Sequence, residues 1–279
     1  MPGDTARIGQ TTPSLTRIDG IRPGLRVMIS GAGSGIGRAM VEVFTAHGAR
    51  LHICDAVGNH LQDCVDAHPD VGGTVADVAD ADQVAAWFAA AESYLGGLDI
   101  LINNAGIAGP TAPVEDISLA DWRRTIDVDI NGMFYATRLG VPLLKRAAQH
   151  HGEAAIVNLS SVAGKFGFAR RTPYAFAKWG VVGFTKSLSI ELGPFGIRAN
   201  AIQPGVVDGE RVRRVARDKA ASTGRAAEAV LADMVADTSL GRMVSPYDVA
   251  NMALFLCSPL ARNVSGQAIP VCGDQVKTV

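Results

Sequence analysis

Tyr174 and Lys178 stand four residues apart in the chain. Side chains at positions i and i+4 share one face of a helix, so Lys178 can hold its positive charge near the Tyr174 hydroxyl. A free tyrosine keeps its proton up to about pH 10, whereas a neighbouring cation favours the phenolate. The pair therefore indicates proton exchange with a substrate hydroxyl, as redox chemistry on an alcohol or ketone requires.

A glycine-rich loop lies between an apolar run at 27–29 and an apolar helical segment at 39–44. Glycine permits a tight turn and lets backbone N–H groups approach a pyrophosphate at the positive end of the helix. The order of strand, loop and helix predicts a dinucleotide site. The loop residues expected to contact the cofactor are Gly31, Ser34, Gly35, Ile36 and Gly37.

Asp55 closes a second apolar run, eighteen residues after Gly37. A carboxylate at this place accepts the ribose hydroxyls of NAD and repels the 2′-phosphate of NADP. No basic residue stands immediately beside Asp55 to offset that repulsion. We therefore expect NAD as the cofactor, with NADP the alternative.

Five motifs occur in one order along the chain, and together they resemble the short-chain dehydrogenase/reductase (SDR) family. The resemblance extends from about Gly24 to Gly273. The matching positions are Gly31, Gly35 and Gly37 of the loop, Asn103, Asn104, Ala105 and Gly106 after the fourth strand, Asn131, Ser161 with Tyr174 and Lys178, and Pro204 with Gly205.

The resemblance implies a role for each of four side chains. Ser161 would hydrogen-bond the substrate oxygen, and Tyr174 would act as acid in reduction and as base in oxidation. Lys178 would bind the nicotinamide ribose and favour the Tyr174 phenolate. Asn131 would hold a water that links Lys178 to solvent. The mechanism needs no metal.

Further cofactor contacts follow from the same resemblance. Asp77 and Val78, after the third strand, would contact adenine. Asn104, Ala105, Gly106, Pro204 and Gly205 would line the cofactor. The family often has a threonine where this chain has Gly209, so we expect the Val207 backbone to contact the carboxamide instead.

Short apolar runs alternate with helical patterns, which is typical of an α/β fold. With the resemblance, this predicts a single-domain Rossmann fold: a doubly wound, parallel, seven-stranded sheet with helices on both faces. The strands are expected near 26–30, 50–54, 73–76, 99–103, 154–160, 197–203 and 268–272. Residues 1–23 form a predicted flexible extension and residues 24–279 the catalytic domain.

Residues 208–240 are expected to cover the site as a lid. This segment contains an arginine stripe formed by Arg211, Arg213, Arg214 and Arg217. The stripe is either a solvated helix face or a site for an anionic substrate group. Arg170 and Arg171 leave the same two alternatives open. The candidate substrate contacts are Phe168, Arg211 and Arg214.

Composition narrows the class of protein. A net charge of −1 argues against nucleic acid as a partner, and no membrane-length apolar run occurs. The four cysteines follow no disulfide framework, which favours a reducing, cytoplasmic setting. His60, Cys64 and His68 have a helical spacing, but we interpret them as surface and packing residues rather than metal ligands.

Three functions are compatible with these patterns. The favoured one is an NAD-dependent oxidoreductase acting on a secondary alcohol or ketone, with a small polar or anionic substrate. The alternative is a 3-oxoacyl-thioester reductase, on acyl carrier protein or coenzyme A, that uses NADPH. A third is a nucleotide-binding protein without catalysis. By resemblance, we expect a homotetramer or a homodimer.

Overall fold

A computed structural model describes residues 17–276 of the chain. Its seven strands form one parallel sheet in the order β3-β2-β1-β4-β5-β6-β7, which confirms the predicted fold. The strands are β1 (Arg26–Ser30), β2 (Arg50–Asp55), β3 (Val71–Val75), β4 (Ile100–Asn103), β5 (Ala154–Leu159), β6 (Ile197–Pro204) and β7 (Ala268–Val271).

The strands are apolar because both faces of the sheet are covered. All residues of β5 and β6 are buried. The third strand begins two residues earlier than predicted, since Gly72 and Gly73 hide its apolar pattern. Those glycines are required by packing: a Cβ would lie 2.6 Å from the His52 ring at Gly72 and 2.9 Å from Val65 at Gly73.

Helices cover the two faces of the sheet and form two hydrophobic cores. One core contains α1, α2 and α9, and the other contains α3, α5 and the C-terminal part of α6. The helices in residues 17–276 are α1 (Gly35–Ala46), α2 (Gly58–Ala67), α3 (Ala81–Leu95), α4 (Leu119–Ile126), α5 (Gly132–His151), α6 (Thr172–Leu192), α7 (Glu210–Thr223), α8 (Ala227–Ala236) and α9 (Pro246–Cys257). None of these helices has the length and apolar character that a bilayer crossing requires.

The direction of winding reverses between β1 and β4. Strand β1 pairs with β2 on one side and with β4 on the other. In such sheets, ligands bind in the crevice outside the carboxyl ends of the strands at this point. The loops after Ser30 and Asn103 border that crevice.

Two helices, α7 and α8, occupy the predicted lid segment. Gly209, with φ of +151°, precedes α7, and Gly224 ends it in the left-handed conformation. Val212 of α7 packs with Val206 and Met243, while Ala216 and Ala220 pack with Val230 of α8. The lid is therefore attached to the body through a small apolar cluster of its own.

The described part of the predicted flexible extension, residues 17–23, contacts the body of the domain. Residues 1–16 lie outside the described residues. Beyond them, the Ile18 N–H donates to His47 Nε2 at 3.1 Å, and Arg22 forms an ion pair with Asp99 at 3.1 Å. Residues 18–23 thus pack on the domain.

Asp99 organises the start of β1. The carboxylate is buried and accepts hydrogen bonds from the Arg26 backbone N–H, Nε and Nη2 at 2.8–2.9 Å. Burial by itself would raise the pKa of Asp99, but the hydrogen bonds and charge of Arg26, with the charge of Arg22, outweigh it and lower the pKa. The ionised carboxylate therefore stabilises the fold.

We expect Asp99→Asn to lower the free energy of unfolding by about 2 kcal/mol at pH 7, because it removes a charged acceptor from Arg26. The lowered pKa means that this contribution is present above the unfolded pKa of about 3.9 and is lost as the pH falls through the native value. Urea unfolding at pH 7 and near pH 3.5 measures it.

The control for this prediction is Glu92→Gln, which removes an exposed ion pair to Arg146 and should change stability by less than about 0.5 kcal/mol. Equal effects of the two substitutions at pH 7 would contradict the assignment.

Candidate active site

The glycine loop and the loop after β4 touch at the switch point. A Cβ at Gly31 would lie 2.8 Å from the Ala105 Cα, and one at Gly37 would lie 2.2 Å from the Gly31 carbonyl oxygen. Asn104 Nδ2 donates to the carbonyls of Ser30 and Gly31 at 3.0 and 2.8 Å. The glycines are thus needed for close approach of backbone to backbone.

The N-terminus of α1 suits an anion. Ser34 is its N-cap, yet the Ser34 side chain makes no capping hydrogen bond, and the first turn contains no acidic residue. Gly35 has φ of +55° with nothing within 4 Å of the place its Cβ would take. The first N–H groups, from Gly35 through Gly37 with Ile36 between them, fit the pyrophosphate of a dinucleotide.

Asp55 is held in a fixed orientation at the end of β2. Its Oδ2 accepts from the Gly33 N–H and its Oδ1 from the Val57 N–H, both at 2.9 Å. No lysine or arginine of residues 17–276 forms an ion pair with it. The remaining lone pairs are suited to the hydroxyl donors of an adenosine ribose.

Asp77 and Val78 follow β3 at the same edge of the sheet. Asp77 forms an ion pair with Arg124 at 2.8 Å, so its carboxylate is already engaged by α4. Val78 packs against Gly132, where a Cβ would lie 2.7 Å from the valine side chain.

Pro204 and Gly205 lie where β6 ends beside β7. The Gly205 N–H donates to the Val271 carbonyl at 3.0 Å, and a Cβ at Gly205 would meet Cys272 at 2.7 Å. Val207 forms a bridge with Val244.

Tyr174 and Lys178 lie on α6, which starts beside Pro173. Lys178 is 4% exposed, and its Nζ lies 5.5 Å from the centroid of the Tyr174 ring. Nζ donates to the Leu159 carbonyl at 3.2 Å and lies 3.2 Å from Asp129 Oδ2. The structure thus brings the two predicted side chains together, with the ammonium fixed between the end of β5 and Asp129.

Ser161 follows β5 and is buried. Its Oγ accepts from the Ala163 N–H at 3.2 Å at the start of a short turn. A Cβ on Gly164, in that turn, would lie 2.5 Å from the Lys178 carbonyl oxygen. The serine segment and the lysine helix are therefore in close contact.

Asp129, and not Asn131, meets Lys178. Asn131 Nδ2 instead donates to Asp127 Oδ1 at 2.7 Å. Residues Asp127–Asn131 form a π-helical turn between α4 and α5. Residues two apart on a helix point in different directions, so this turn directs Asp129 inward, where its Oδ1 also accepts from the Ile107 N–H at 2.7 Å. The side chain that meets Lys178 directly is therefore Asp129, while the role of Asn131 through a water stays a prediction.

The arginine stripe of the lid divides between two surroundings. Arg211 Nη2 donates to the Gly106 carbonyl at the crevice. Arg213 and Arg217 form ion pairs with Asp208 and Glu210, as a solvated face would. Arg214 is exposed; the pKa of Glu210 is lowered chiefly by its hydrogen bond to Arg217 and the charge of Arg217, with smaller contributions from Arg213 and Arg214.

Two further cations lie on this side of the site: sequence patterns left the role of Arg171 open and missed Lys219. The Arg171 guanidinium carbon lies 4.4 Å from the Tyr174 ring centroid. Lys219 Nζ lies 5.0 Å from the ring centroid of Phe168, a predicted substrate contact. The available signal was position: Arg171 immediately precedes α6, and Lys219 follows Arg211 by two turns of α7.

The helical triplet on and after α2 does not converge on one point. Cys64 is buried whereas His60 is exposed. Among residues 17–276 no three histidine, cysteine or acidic side chains converge as metal ligands.

Comparison with known proteins identifies the family. A family model described as enoyl-(acyl carrier protein) reductase matches residues 31–273. Trans-4-hydroxycyclohexanecarboxylate dehydrogenase of Sinomonas cyclohexanicum is 34% identical over 258 residues, which cover 89% of this chain and 91% of that protein.

Two solved structures share the fold. A Phe-to-Trp variant of actinorhodin polyketide ketoreductase with NADPH has a TM-score of 0.85 at 30% identity, and the match covers 90% of this chain and 96% of that one. The 3-ketoacyl-(acyl-carrier-protein) reductase from Brucella melitensis complexed with NADH has a TM-score of 0.81 at 30% identity, covering 90% and 98%. With the site geometry, these matches show that the chain belongs to the short-chain dehydrogenase/reductase family and is an oxidoreductase of alcohols and ketones.

Proposed function

We propose that this oxidoreductase uses NAD to interconvert a secondary alcohol and its ketone, with Tyr174 as the proton-exchanging group. The observation that carries the proposal is the buried Lys178 ammonium, fixed 5.5 Å from the Tyr174 ring at the mouth of a dinucleotide crevice. A cation held there favours the phenolate that alcohol oxidation requires.

Each side chain has one task in this mechanism. Tyr174 takes the hydroxyl proton during oxidation and returns it during reduction. Ser161 donates a hydrogen bond to the substrate oxygen and stabilises its developing charge. Lys178 stabilises the phenolate, while the Leu159 carbonyl and Asp129 hold the ammonium in place. When bound, the nicotinamide accepts or supplies the hydride.

The cofactor site is proposed from the residues that suit each part of NAD. Gly31 and the N-terminal turn of α1 would hold the pyrophosphate, and Asp55 the adenosine ribose. Asp77, Val78 and the segment 104–106 would line the adenine and the nicotinamide ribose. Pro204, Gly205 and the Val207 backbone would border the carboxamide. The bridge between Val207 and Val244 uses the N–H of Asp208 and the carbonyl of Val206, so it does not use the N–H and carbonyl of Val207 itself.

Reduction of a 3-oxoacyl thioester with NADPH is the second candidate. The family model and the two solved structures above include acyl-carrier-protein reductases, which favours it. Asp55 argues against it, since a 2′-phosphate would lie near a carboxylate with which no lysine or arginine of residues 17–276 forms an ion pair. Retained Ser161, Tyr174 and Lys178 speak against a binding protein without catalysis.

We also propose that the enzyme forms a homodimer or homotetramer in the cytoplasm. Trp122 and Phe176, with ring centroids 5.4 Å apart, and Trp179 form an exposed aromatic surface on α4 and α6 that suits a homodimer or homotetramer. The four cysteines are unpaired and buried, as suits a cytoplasmic protein.

Cofactor preference tests the role of Asp55. We expect kcat/KM to be at least ~100-fold higher with NAD than with NADP, because like charges in a binding site cost several kcal/mol. Asp55→Asn should reduce that ratio at least tenfold. Absorbance of NADH or NADPH, followed with secondary alcohols, hydroxy acids and 3-hydroxyacyl thioesters, measures it.

Asp63→Asn is the matched control, since it makes the same charge change on an exposed position of α2 and should leave the ratio unchanged. Activity confined to NADP and acyl thioesters would replace the proposal with the second candidate.

Tyr174→Phe tests the proton exchange. It should lower kcat by about 10³-fold, the range of a general acid–base group, with NADH affinity changed less than threefold. Tyr94→Phe, which removes an exposed hydroxyl on α3, should leave kcat unchanged. A Tyr174→Phe enzyme with a rate near wild type would exclude the assignment.

A further inference from the structure

We propose that Arg171, together with Lys219 and Arg211 of the lid, forms a subsite that binds the carboxylate of a hydroxy-acid or oxo-acid substrate beside Tyr174. This inference rests on the proposed function, because it names the substrate class of the same site.

Arg171 is a buried cation with unused donors. It is 5% exposed; Nη2 donates to the Ala108 carbonyl at 2.7 Å, and Nε is buried without a hydrogen-bond partner in residues 17–276. No carboxylate in that range forms an ion pair with it. A buried guanidinium is costly unless an anion compensates its charge.

Phe168 brings Arg171 and Lys219 together. The Arg171 guanidinium carbon lies 5.2 Å from the centroid of its ring, and Lys219 Nζ lies 5.0 Å from the same centroid. Burial lowers the pKa of Lys219; the charge of Arg171 lowers it further, and Asp237 partly offsets the shift. The two cations therefore repel each other in a partly dry environment, which an anion between them would relieve.

Arg211 extends the cationic region to the catalytic lysine. Arg211 and Lys219 are eight residues apart on α7, two turns along one face. Arg211 Nη2 donates to the carbonyl of Gly106, where a Cβ would lie 3.1 Å from Lys178 Nζ. Burial lowers the pKa of Arg171, Tyr174 opposes that shift, and the charge of Arg211 reinforces it.

The local charges leave an excess of one positive charge. The four cations are Arg171, Lys178, Arg211 and Lys219. The three carboxylates acting on them are Asp129, Asp218 and Asp237. Asp129 already pairs with Lys178, and Asp218 is exposed. One substrate carboxylate would bring the count to zero.

The chemistry and the position both select a substrate acid. A guanidinium binds a carboxylate through two parallel hydrogen bonds, and this pairing is strongest where water is excluded. Arg171 lies against the Tyr174 ring. A substrate whose hydroxyl or carbonyl meets Tyr174 therefore has room to place its own carboxylate on Arg171. The other two cations lie on α7.

Titration calorimetry with two unreactive probes tests the subsite, with and without NADH. We expect cyclohexanecarboxylate to bind at least tenfold more tightly than the neutral cyclohexanecarboxamide. Arg171→Gln and Lys219→Met should each weaken the carboxylate at least fivefold and leave the amide unchanged. Arg213→Gln, on the solvated face of α7, should change the affinity of neither probe. If Arg171→Gln does not fold, the affinities of the two probes for Lys219→Met provide the test.

Equal affinity for the two probes, or equal losses for both in the variants, would overturn the subsite. Kinetics with trans-4-hydroxycyclohexanecarboxylate and its methyl ester separate the two proposals. Turnover of acid and ester with the same KM would refute the subsite while the proposed function stands. Arg171-dependent carboxylate binding without turnover of any alcohol would support the subsite and refute the proposed function.

Discussion

The site depends on one physical constraint, the burial of the Lys178 ammonium. A cation that is 4% exposed needs polar partners, and two segments that are distant in sequence supply them. The Leu159 carbonyl comes from the end of β5, Asp129 from the π-helical turn before α5, and the backbone of Lys178 is held in turn by Ser160 Oγ at 2.8 Å. A phenol on the same helix then lies beside a fixed charge.

The parallel sheet makes that convergence possible. Its strands end at one edge, so the loops after β1, β4 and β5 meet there although they are tens of residues apart. Close approach between those loops excludes a side chain at Gly31 and Gly37, and it also limits Gly106, which borders both Lys178 and Asp129. The same edge therefore holds the cofactor crevice and the proton-exchanging pair. Helix α7 adds the positive charges of Arg211 and Lys219.

Sequence patterns predicted what depends on local periodicity and failed where direction matters. Apolar runs and the glycine loop predicted the seven strands and their positions along the chain. The i, i+4 rule predicted that Tyr174 and Lys178 lie together. The contact of Asp129 with Lys178 was not predicted, because no spacing rule reveals a π-helical turn that directs Asp129 inward. Arg171 and Lys219 could not be assigned, since their meeting on Phe168 depends on how the lid packs.

The pH dependence of alcohol oxidation in Asp129→Asn tests the central constraint most directly. Removing the carboxylate leaves the Lys178 charge uncompensated, so the phenolate is favoured and the acidic limb of the rate profile should move to lower pH. Asp63→Asn, the same change at an exposed position of α2, should leave the profile unchanged. An unaltered profile in Asp129→Asn, or an equal shift in Asp63→Asn, would contradict the account.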